Sequence, residues 1–231
     1  MNKMMKLLMT IVFIGILLLC GCKAADEIEN PVPVIQPEGT VSDFDGHVYQ
    51  TVRIGNQIWM AENLRSTHYS DGAPVASQVY GNNGANAALY GRLYTLEAIM
   101  RGAPSSSANP SGVRGIAPAG WHIPSQAEWN ELLTALGGIQ VAGGKLKEQG
   151  TAHWQAPNTG ASNESLMNVL PAGMLLGGDT SQWLNTHAVF TSSEHNPFEL
   201  FALILYHDRA NAALEGIFPG DAVSVRCVKD R

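Results

Sequence analysis

Three cysteines are the residues of this sequence with the widest range of possible chemistry. Cys20 and Cys22 lie near the start of the chain, whereas Cys227 lies near its end. A thiol can form a disulfide, bind a soft metal ion or accept a lipid, and its neighbourhood decides which of these is open to it. Since the neighbours of the three cysteines differ, we expect different roles for them.

The beginning of the chain has the pattern of an exported protein with a lipid anchor. Two lysines precede an almost wholly apolar run over residues 7–19, which is shorter than the roughly 20 residues that span a bilayer. The run leads into LCGC at 19–22, which resembles a bacterial lipobox, where a small residue precedes the lipidated cysteine. We predict a signal peptide over residues 1–21 and lipidation of Cys22. The alternative is an ordinary secretory signal with an incidental cysteine.

Removal of this signal peptide would make the chain more acidic. The full sequence has 14 Lys and Arg against 20 Asp and Glu, a net charge of −6. Without Lys3 and Lys6, 12 basic residues remain against 20 acidic ones, a net charge of −8. Because a basic surface is needed to neutralise phosphates, we expect no nucleic acid among the partners.

Cys227 would then be left without a thiol partner. Cys20 is lost with the signal peptide and Cys22 is lipidated, so an intramolecular disulfide cannot form in the mature protein. The paired thiolates of a soft-metal site cannot form either. We expect Cys227 to be a small buried apolar residue in a strand.

Residues 22–40 have the composition of a tether. The segment is first acidic and then rich in proline, so it buries little apolar surface and should be extended. Acidic residues soon after Cys22 resemble the export signal of surface lipoproteins. We therefore predict an outer-membrane lipoprotein exposed at the cell surface, with a periplasm-facing anchor as the alternative.

The folded domain is expected over residues 41–231 and opens with a hairpin. Residues 48–54 alternate as a strand does, residues 55–57 form a turn, and residues 58–61 return. Asp43 and Asp45 lie just before the hairpin at a spacing that also occurs in calcium loops. The remaining ligands of such a loop are missing, so we favour a simple turn.

One helix is clearly marked. Ser125 and Glu128 form a capping box, and the pair Gly137-Gly138 ends the helix. A stripe of apolar residues recurs at helical spacing between them, and we expect it to face the core. Its members are Trp129, Leu132, Leu133 and Leu136.

The rest of the chain reads as short segments between loops. Residues 90–100 read as a passage from a strand to a helix, after which a loop rich in Ser, Pro and Gly follows. Four further strands are predicted in the second half. They cover residues 169–175, 188–193, 201–206 and 222–228.

Several segments together resemble one known family. The longest is DGHVYQTVRIGNQIWMAENL at 45–64, and AGWHIPSQAEW at 119–129 and SVRCV at 224–228 follow in order. Shorter matches are YGRLY at 90–94, LGG at 136–138, GKLK at 144–147 and LPAG at 170–173. These blocks are similar to the Fibrobacter succinogenes major paralogous domain, whose members are typically bacterial surface lipoproteins or secreted modules.

The resemblance implies an α+β architecture of the C-type-lectin-like kind. Such a domain has two helices beside twisted, mostly antiparallel sheets, with long loops and with termini that meet. The hairpin, the capped helix and the strand-rich second half agree with this expectation.

The first functional hypothesis is a recognition module for adhesion or for a carbohydrate or protein ligand. Lectins of this fold class often bind sugars through calcium, but this sequence lacks the acidic clusters for six to eight oxygen ligands, so we expect no metal. A metal-free site could use a tryptophan flanked by amides, although core packing is an alternative for each tryptophan. The candidates are Trp154, Asn158, Asn163, Trp183 and Asn185.

The second hypothesis is an enzyme. Some of the same motifs resemble, at a distance, the formylglycine-generating enzymes, which use a cysteine pair to bind copper. Cys227 has no such partner, and no two histidines have metal-ligand spacing on one element. We therefore expect neither catalysis nor a cofactor.

The third hypothesis is a structural envelope or fimbria-associated subunit. Such a subunit would contact its partners through strand edges and loops, and the sequence alone does not separate it from a recognition module. A pocket lined by aromatic rings and amides would favour ligand binding, whereas a flat apolar patch would favour assembly.

Overall fold

Short strands joined by long loops make up most of residues 33–231, which are the part of the chain described by the computed structural model. The expected signal peptide, Cys22 and the first part of the tether lie outside these residues. The strands are β1 Ile35–Ser42, β2 Val48–Ile54, β3 Gln57–Met60, β4 Tyr94–Thr95, β5 Trp121–His122, β6 Met174–Leu176, β7 Thr180–Gln182, β8 His187–His195, β9 Leu200–Tyr206, β10 Ala212–Ile217, β11 Ala222–Val223 and β12 Val228–Lys229. The helices are α1 Gly84–Tyr90, α2 Leu96–Met100, α3 Gln126–Ala135 and α4 Ile139–Leu146.

The strands form three sheets whose ladders are all antiparallel. Their orders are β1-β2-β3-β12-β5, β10-β9-β8 and β4-β11-β6-β7. Because the helices do not alternate with parallel strands, the architecture is α+β, as predicted. The predicted hairpin is confirmed as β2 and β3, in which Val52 lies opposite Trp59.

The predicted start of the folded domain at residue 41 is too late. β1 begins at Ile35, inside the segment assigned to the tether, and pairs with β2 as far as Ser42. Pro37 and Gly39 suggested an extended tether. A strand accommodates them because β1 is at the edge of its sheet and its register shifts between these two residues.

Four helices occur in residues 33–231, where the resemblance implied two. α3 has the predicted capping box, and it ends where Gly137 and Gly138 adopt positive φ angles of 98° and 96°. α4 follows at once, in a segment with no predicted helix. A Cβ on Gly143 of α4 would lie 2.7 Å from the carbonyl oxygen of Asn211, so glycine permits this close packing. None of the four helices has the length and apolar character needed to cross a membrane.

Two of the four strands predicted in the second half are confirmed, and the other two are shorter than predicted or divided. Residues 188–193 and 201–206 are confirmed in β8 and β9. Of residues 169–175 only the last part is in β6, and residues 222–228 divide into β11 and β12. Between β11 and β12 the backbone bonds to separate partners, with Thr191 N donating to Ser224 O at 3.2 Å and Leu64 N to Val225 O at 2.9 Å. Local alternation does not encode such a change of partner.

The apolar stripe of α3 packs into a core cluster, as predicted. Trp129 is 1% exposed, and its ring centroid lies 4.4 Å from that of Trp59 and 5.9 Å from that of Phe190. Its indole Nε1 donates to the carbonyl oxygen of Thr191 at 3.0 Å. The tryptophan is therefore enclosed, and its polar atom is satisfied.

The cap of α3 continues into a buried polar network. The Glu128 carboxylate accepts from the backbone N–H of Ser125 at 3.0 Å and of Ser111 at 3.1 Å. Its other oxygen forms a 2.7 Å hydrogen bond with His122 Nε2, and His122 Nδ1 lies 2.8 Å from Asp230. Burial alone would lower the pKa of His122, but its two carboxylate partners outweigh burial and raise the pKa.

Cys227 is buried, as the sequence predicted, but it lies just before β12 rather than in a strand. It is fully buried beside β12 and forms no disulfide within residues 33–231. Burial raises the pKa of its thiol far above the usual range. A protonated, enclosed thiol is chemically inert, so Cys227 serves packing.

Candidate functional site

Three rings in contact and a guanidinium form a continuous row where β8 begins and β9 ends, here called the aromatic face: Trp183, His187, Tyr206 and Arg209. Trp183 and His187 are stacked, with centroids 4.6 Å apart and planes inclined by 26°. His187 meets Tyr206 edge to face at 5.0 Å. Arg209 Cζ lies 4.2 Å from the centroid of Tyr206. The row thus consists of one stacked ring pair, one edge-to-face ring pair and one cation–π contact.

Strand pairing places two members of this row side by side. His187 is the first residue of β8 and Tyr206 the last residue of β9, and the register puts them directly opposite each other. Cross-strand neighbours of this kind have Cβ atoms about 5 Å apart, which brings their rings into contact.

The turn before β8 positions Trp183. Trp183 and Asn185 both have φ of 66°, an uncommon conformation for residues other than glycine. The carbonyl oxygen of Trp183 accepts from His187 N and from Thr186 Oγ1, each at 3.0 Å. The turn also packs closely on Gly173, where a Cβ would lie 2.7 Å from the backbone nitrogen of Leu184. The backbone of Trp183 is therefore held in place by these contacts, independently of the exposed part of its ring.

Trp183 differs from the other tryptophans of residues 33–231 in that it is exposed to solvent. The side chain of Trp183 is 39% exposed. Asn185 is also exposed, and its Oδ1 accepts from the hydroxyl of Tyr90 at 3.4 Å. Its side-chain nitrogen, Nδ2, makes no hydrogen bond to any residue between 33 and 231. The turn thus presents an exposed indole at Trp183 and a free side-chain donor at Asn185.

A buried lysine supports the aromatic face from below. Lys147 Nζ donates to the carbonyl oxygens of Thr159, Tyr206 and Arg209 at 2.9, 2.8 and 3.0 Å. It also lies 5.3 Å from the centroid of Trp154. Burial lowers the pKa of Lys147 to about 8. Since two of its acceptors belong to residues of the aromatic face, Lys147 fixes the backbone on which they are mounted.

Of the five predicted ligand-binding residues, only Trp183 belongs to the aromatic face, and Asn185 lies two residues from it in the same turn. Trp154 was predicted wrongly: it is 1% exposed, and its Nε1 donates to Val169 O at 2.9 Å. Core packing, the alternative weighed for it, is the correct interpretation.

Two of the predicted asparagines have structural roles. Asn158 is 4% exposed, and its Nδ2 donates to Glu148 O and Gly150 O at 2.9 and 2.6 Å. Asn163 Oδ1 accepts from the backbone N–H of Asn168 at 2.7 Å and so stabilises a loop. The sequence prediction missed His187, Tyr206 and Arg209, because only the register of β8 and β9 brings them to Trp183.

The turn at Asp43 and Asp45 has the spacing found in calcium loops. These two carboxylates and His47 lie within 4.8 Å of one another. Asp43 accepts from Tyr49 and hydrogen-bonds His47, while Asp45 accepts from the backbone and hydroxyl of Thr67. The carboxylates thus stabilise their own turn, and three ligand groups fall short of the six to eight oxygens of calcium.

Comparison with known proteins identifies the family. The sequence model of the Fibrobacter succinogenes major domain matches residues 52–229. No curated protein and no solved structure matches the chain. The matched range includes β3, α3, the aromatic face and β12, so it covers most of the fold described above. The chain therefore belongs to the Fibrobacter succinogenes major domain family.

Proposed function

We propose that this protein is a recognition module with a C-type-lectin-like fold and that its aromatic face binds a glycan. The observation that carries the proposal is the exposed stack of Trp183 on His187. The C–H face of a sugar ring packs on an indole, while its hydroxyls need polar groups at the edge. The amide nitrogen of Asn185 and the guanidinium of Arg209 supply such groups.

The electrostatic state of the face suits a neutral ligand. Burial, helped by the nearby His207, lowers the pKa of His187, so its ring is uncharged at neutral pH. A neutral imidazole stacks on Trp183 without the cost of desolvating a charge. Binding through ring stacking also requires no calcium, in line with the expectation from the sequence.

We further propose that the module is displayed at the outer surface by lipidation of Cys22, after cleavage of a signal peptide over residues 1–21. A periplasm-facing anchor is the alternative. The LCGC motif supports lipidation at this position. Lipid chains would hold the protein at the membrane, since each buried methylene contributes about 0.8 kcal/mol. The proposal includes no catalysis, since the thiol of Cys227 is buried and protonated.

A structural envelope or fimbria-associated subunit is the second candidate, favoured by two exposed phenylalanines. Phe198 and Phe218 are 81% and 64% exposed. Phe198 precedes β9 and Phe218 follows β10, where Leu200 lies opposite Ile217, so both are at the same end of one sheet. Exposed apolar residues at one end of a sheet are typical of assembly surfaces.

A glycan-array screen of the full-length chain, with and without calcium, tests the first proposal. Trp183→Ala is expected to weaken the best glycan signal about tenfold, because stacking on aromatic rings dominates such sites. Phe198→Ala is the matched control, since it removes an exposed aromatic outside the aromatic face and should leave the signal unchanged.

Three results would contradict the proposal. These are the absence of any glycan signal, full binding by Trp183→Ala, or loss of binding when calcium is chelated. Self-association that Phe198→Ala abolishes, without glycan binding, would favour the structural subunit instead.

A further inference from the structure

A second region, away from the aromatic face, contains a buried arginine. Arg226 is 2% exposed and lies just before β12. Its Nε donates to Asn63 Oδ1 at 2.8 Å, and its Nη1 donates to the carbonyl oxygen of Met167 at 2.7 Å. The guanidinium also lies 5.3 Å from the centroid of Phe190. These neutral partners fix the orientation of the charged group.

No carboxylate of the described chain pairs with this guanidinium. Among residues 33–231, none has a carboxylate oxygen within 4.0 Å of an Arg226 nitrogen, and Nη2 donates no hydrogen bond. Burial lowers the pKa of Arg226 to about 9, and Glu62 only partly counteracts this. A buried charge without an opposite charge destabilises the fold, and an anionic ligand would offset this cost.

Arg226 lines a cavity of about 230 Å³ between α1, the start of β2 and the loop that follows α4. Nη2 has no hydrogen-bond partner among residues 33–231, yet it is not fully enclosed by protein atoms. Because Arg226 lines the cavity, this unpaired donor is open to it. The volume is below the 300–1,000 Å³ typical of drug-sized ligands and suits a ligand of about one residue.

The charges around the cavity leave a net positive site. Glu62 and Arg65 both line it, but they pair with each other at 3.3 Å, and Glu62 also accepts from the backbone N–H of Gln50 at 2.8 Å. Arg226 therefore remains as one uncompensated positive charge. This is notable in a chain whose net charge is −6.

One part of the cavity wall is apolar and suits an aliphatic ligand. Leu89 and Leu166 line it and are 46% and 42% exposed, and Leu170 lies beside them. Leu166 has φ of 60°, a strained conformation for leucine that places it at the cavity edge. A ligand rich in hydroxyls would leave these side chains without apolar contact.

We propose that this cavity binds a small carboxylate with an aliphatic body, the chemistry of the C-terminal residue of a peptide that ends in leucine or a similar residue. The carboxylate pairs with Nη2 of Arg226, and the aliphatic part packs on Leu89, Leu166 and Leu170. The cavity shares no lining residue with the aromatic face, so the proposal does not depend on glycan binding.

Isothermal titration of the full-length chain with N-acetyl-leucine tests this site, with N-acetyl-leucinamide as the uncharged match. The acid is expected to bind and the amide to bind at least about tenfold more weakly, since only the acid can pair with Arg226. Trp183→Ala should leave binding of the acid unchanged.

Two leucine variants test the site without a substitution of Arg226. The test therefore does not depend on whether an Arg226 variant folds. Leu89→Asp places a negative charge at the cavity on exposed α1 and should weaken binding of the acid about tenfold. Leu176→Asp makes the same change at an exposed leucine outside the cavity and should have no effect.

The proposal is overturned if neither compound binds, if acid and amide bind equally, or if both leucine variants behave alike. Glucuronic acid is the third titrant. Tighter binding of glucuronic acid than of N-acetyl-leucine would show that the occupant is a sugar acid and would overturn the aliphatic assignment.

Discussion

Trp129 and Trp183 lie in regions that use the same side chain in opposite ways. Trp129 is enclosed by Trp59 and Phe190, and its indole N–H is bound by Thr191. Trp183 has one face on His187 and the other open to solvent. In the first region, every interaction of the ring stabilises the fold. In the second, part of the ring remains available for a ligand.

The polar groups of the two regions show the same contrast. The carboxylate of Glu128 is fully buried and accepts hydrogen bonds from two backbone groups and from His122. In the turn that holds Trp183, the side chain of Asn185 binds Tyr90 through its oxygen only. Unsatisfied polar groups are tolerated where water reaches them, so such groups mark surfaces that can bind without loss of stability.

Replacing the enclosed tryptophan should have the largest effect on stability. We expect Trp129→Ala to lower the free energy of unfolding by about 3–5 kcal/mol, because it removes a large buried side chain and leaves Thr191 O without its donor. Urea denaturation followed by circular dichroism measures this loss. A loss below about 1 kcal/mol would mean that the region around α3 is less tightly packed than described.

A change of pH should produce a smaller effect through His122, which lies in the buried region. The pKa of His122 is raised above its ordinary value of 6.5, so the folded state holds its proton more tightly than the unfolded state does. The resulting stabilisation is complete below pH 6.5 and is lost as the pH rises through the raised pKa.

The measurement is the urea midpoint between pH 6 and pH 9, compared with that of His122→Gln. The wild-type midpoint should decline more steeply with increasing pH than that of the variant. Equal slopes would show that His122 is not charged in the folded protein.

The smallest effect on stability is expected for the exposed tryptophan. Trp183→Ala should change the free energy of unfolding by less than about 1 kcal/mol, because one face of the ring is already in water and surface substitutions cost little. The same urea measurement applies. A loss as large as that of Trp129→Ala would remove the distinction between the two regions and identify Trp183 as a structural residue.

The sequence predicted best what depends on near neighbours. Ser125 and Glu128 are three residues apart, so their capping box and the helix after it follow from local chemistry. The hairpin of β2 and β3 is equally local. The helix α4 was missed because its glycines are unfavourable in helices and are explained only by close packing, of Gly143 against Asn211 and of Gly144 against Gly160.

The candidate site depended on contacts between distant residues. Trp154 and Trp183 look alike in sequence, and only the packing of the second half decides that the first is buried and the second exposed. His187 and Tyr206 become neighbours through strand register. The lack of a charged partner for Arg226 is likewise visible only once the residues around it are placed, because a sequence does not show which carboxylates come near.

The position of β12 has a consequence for how the protein is made. This strand lies between β3 and β5, with Val228 opposite both Trp59 and His122. Until residues 228 and 229 are available, β3 and β5 have unpaired edges, and the first sheet cannot close. A chain interrupted before Arg226 would lack both the closing strand and the buried guanidinium. We therefore expect copies that lack β12 to be more sensitive to proteases than copies that contain it.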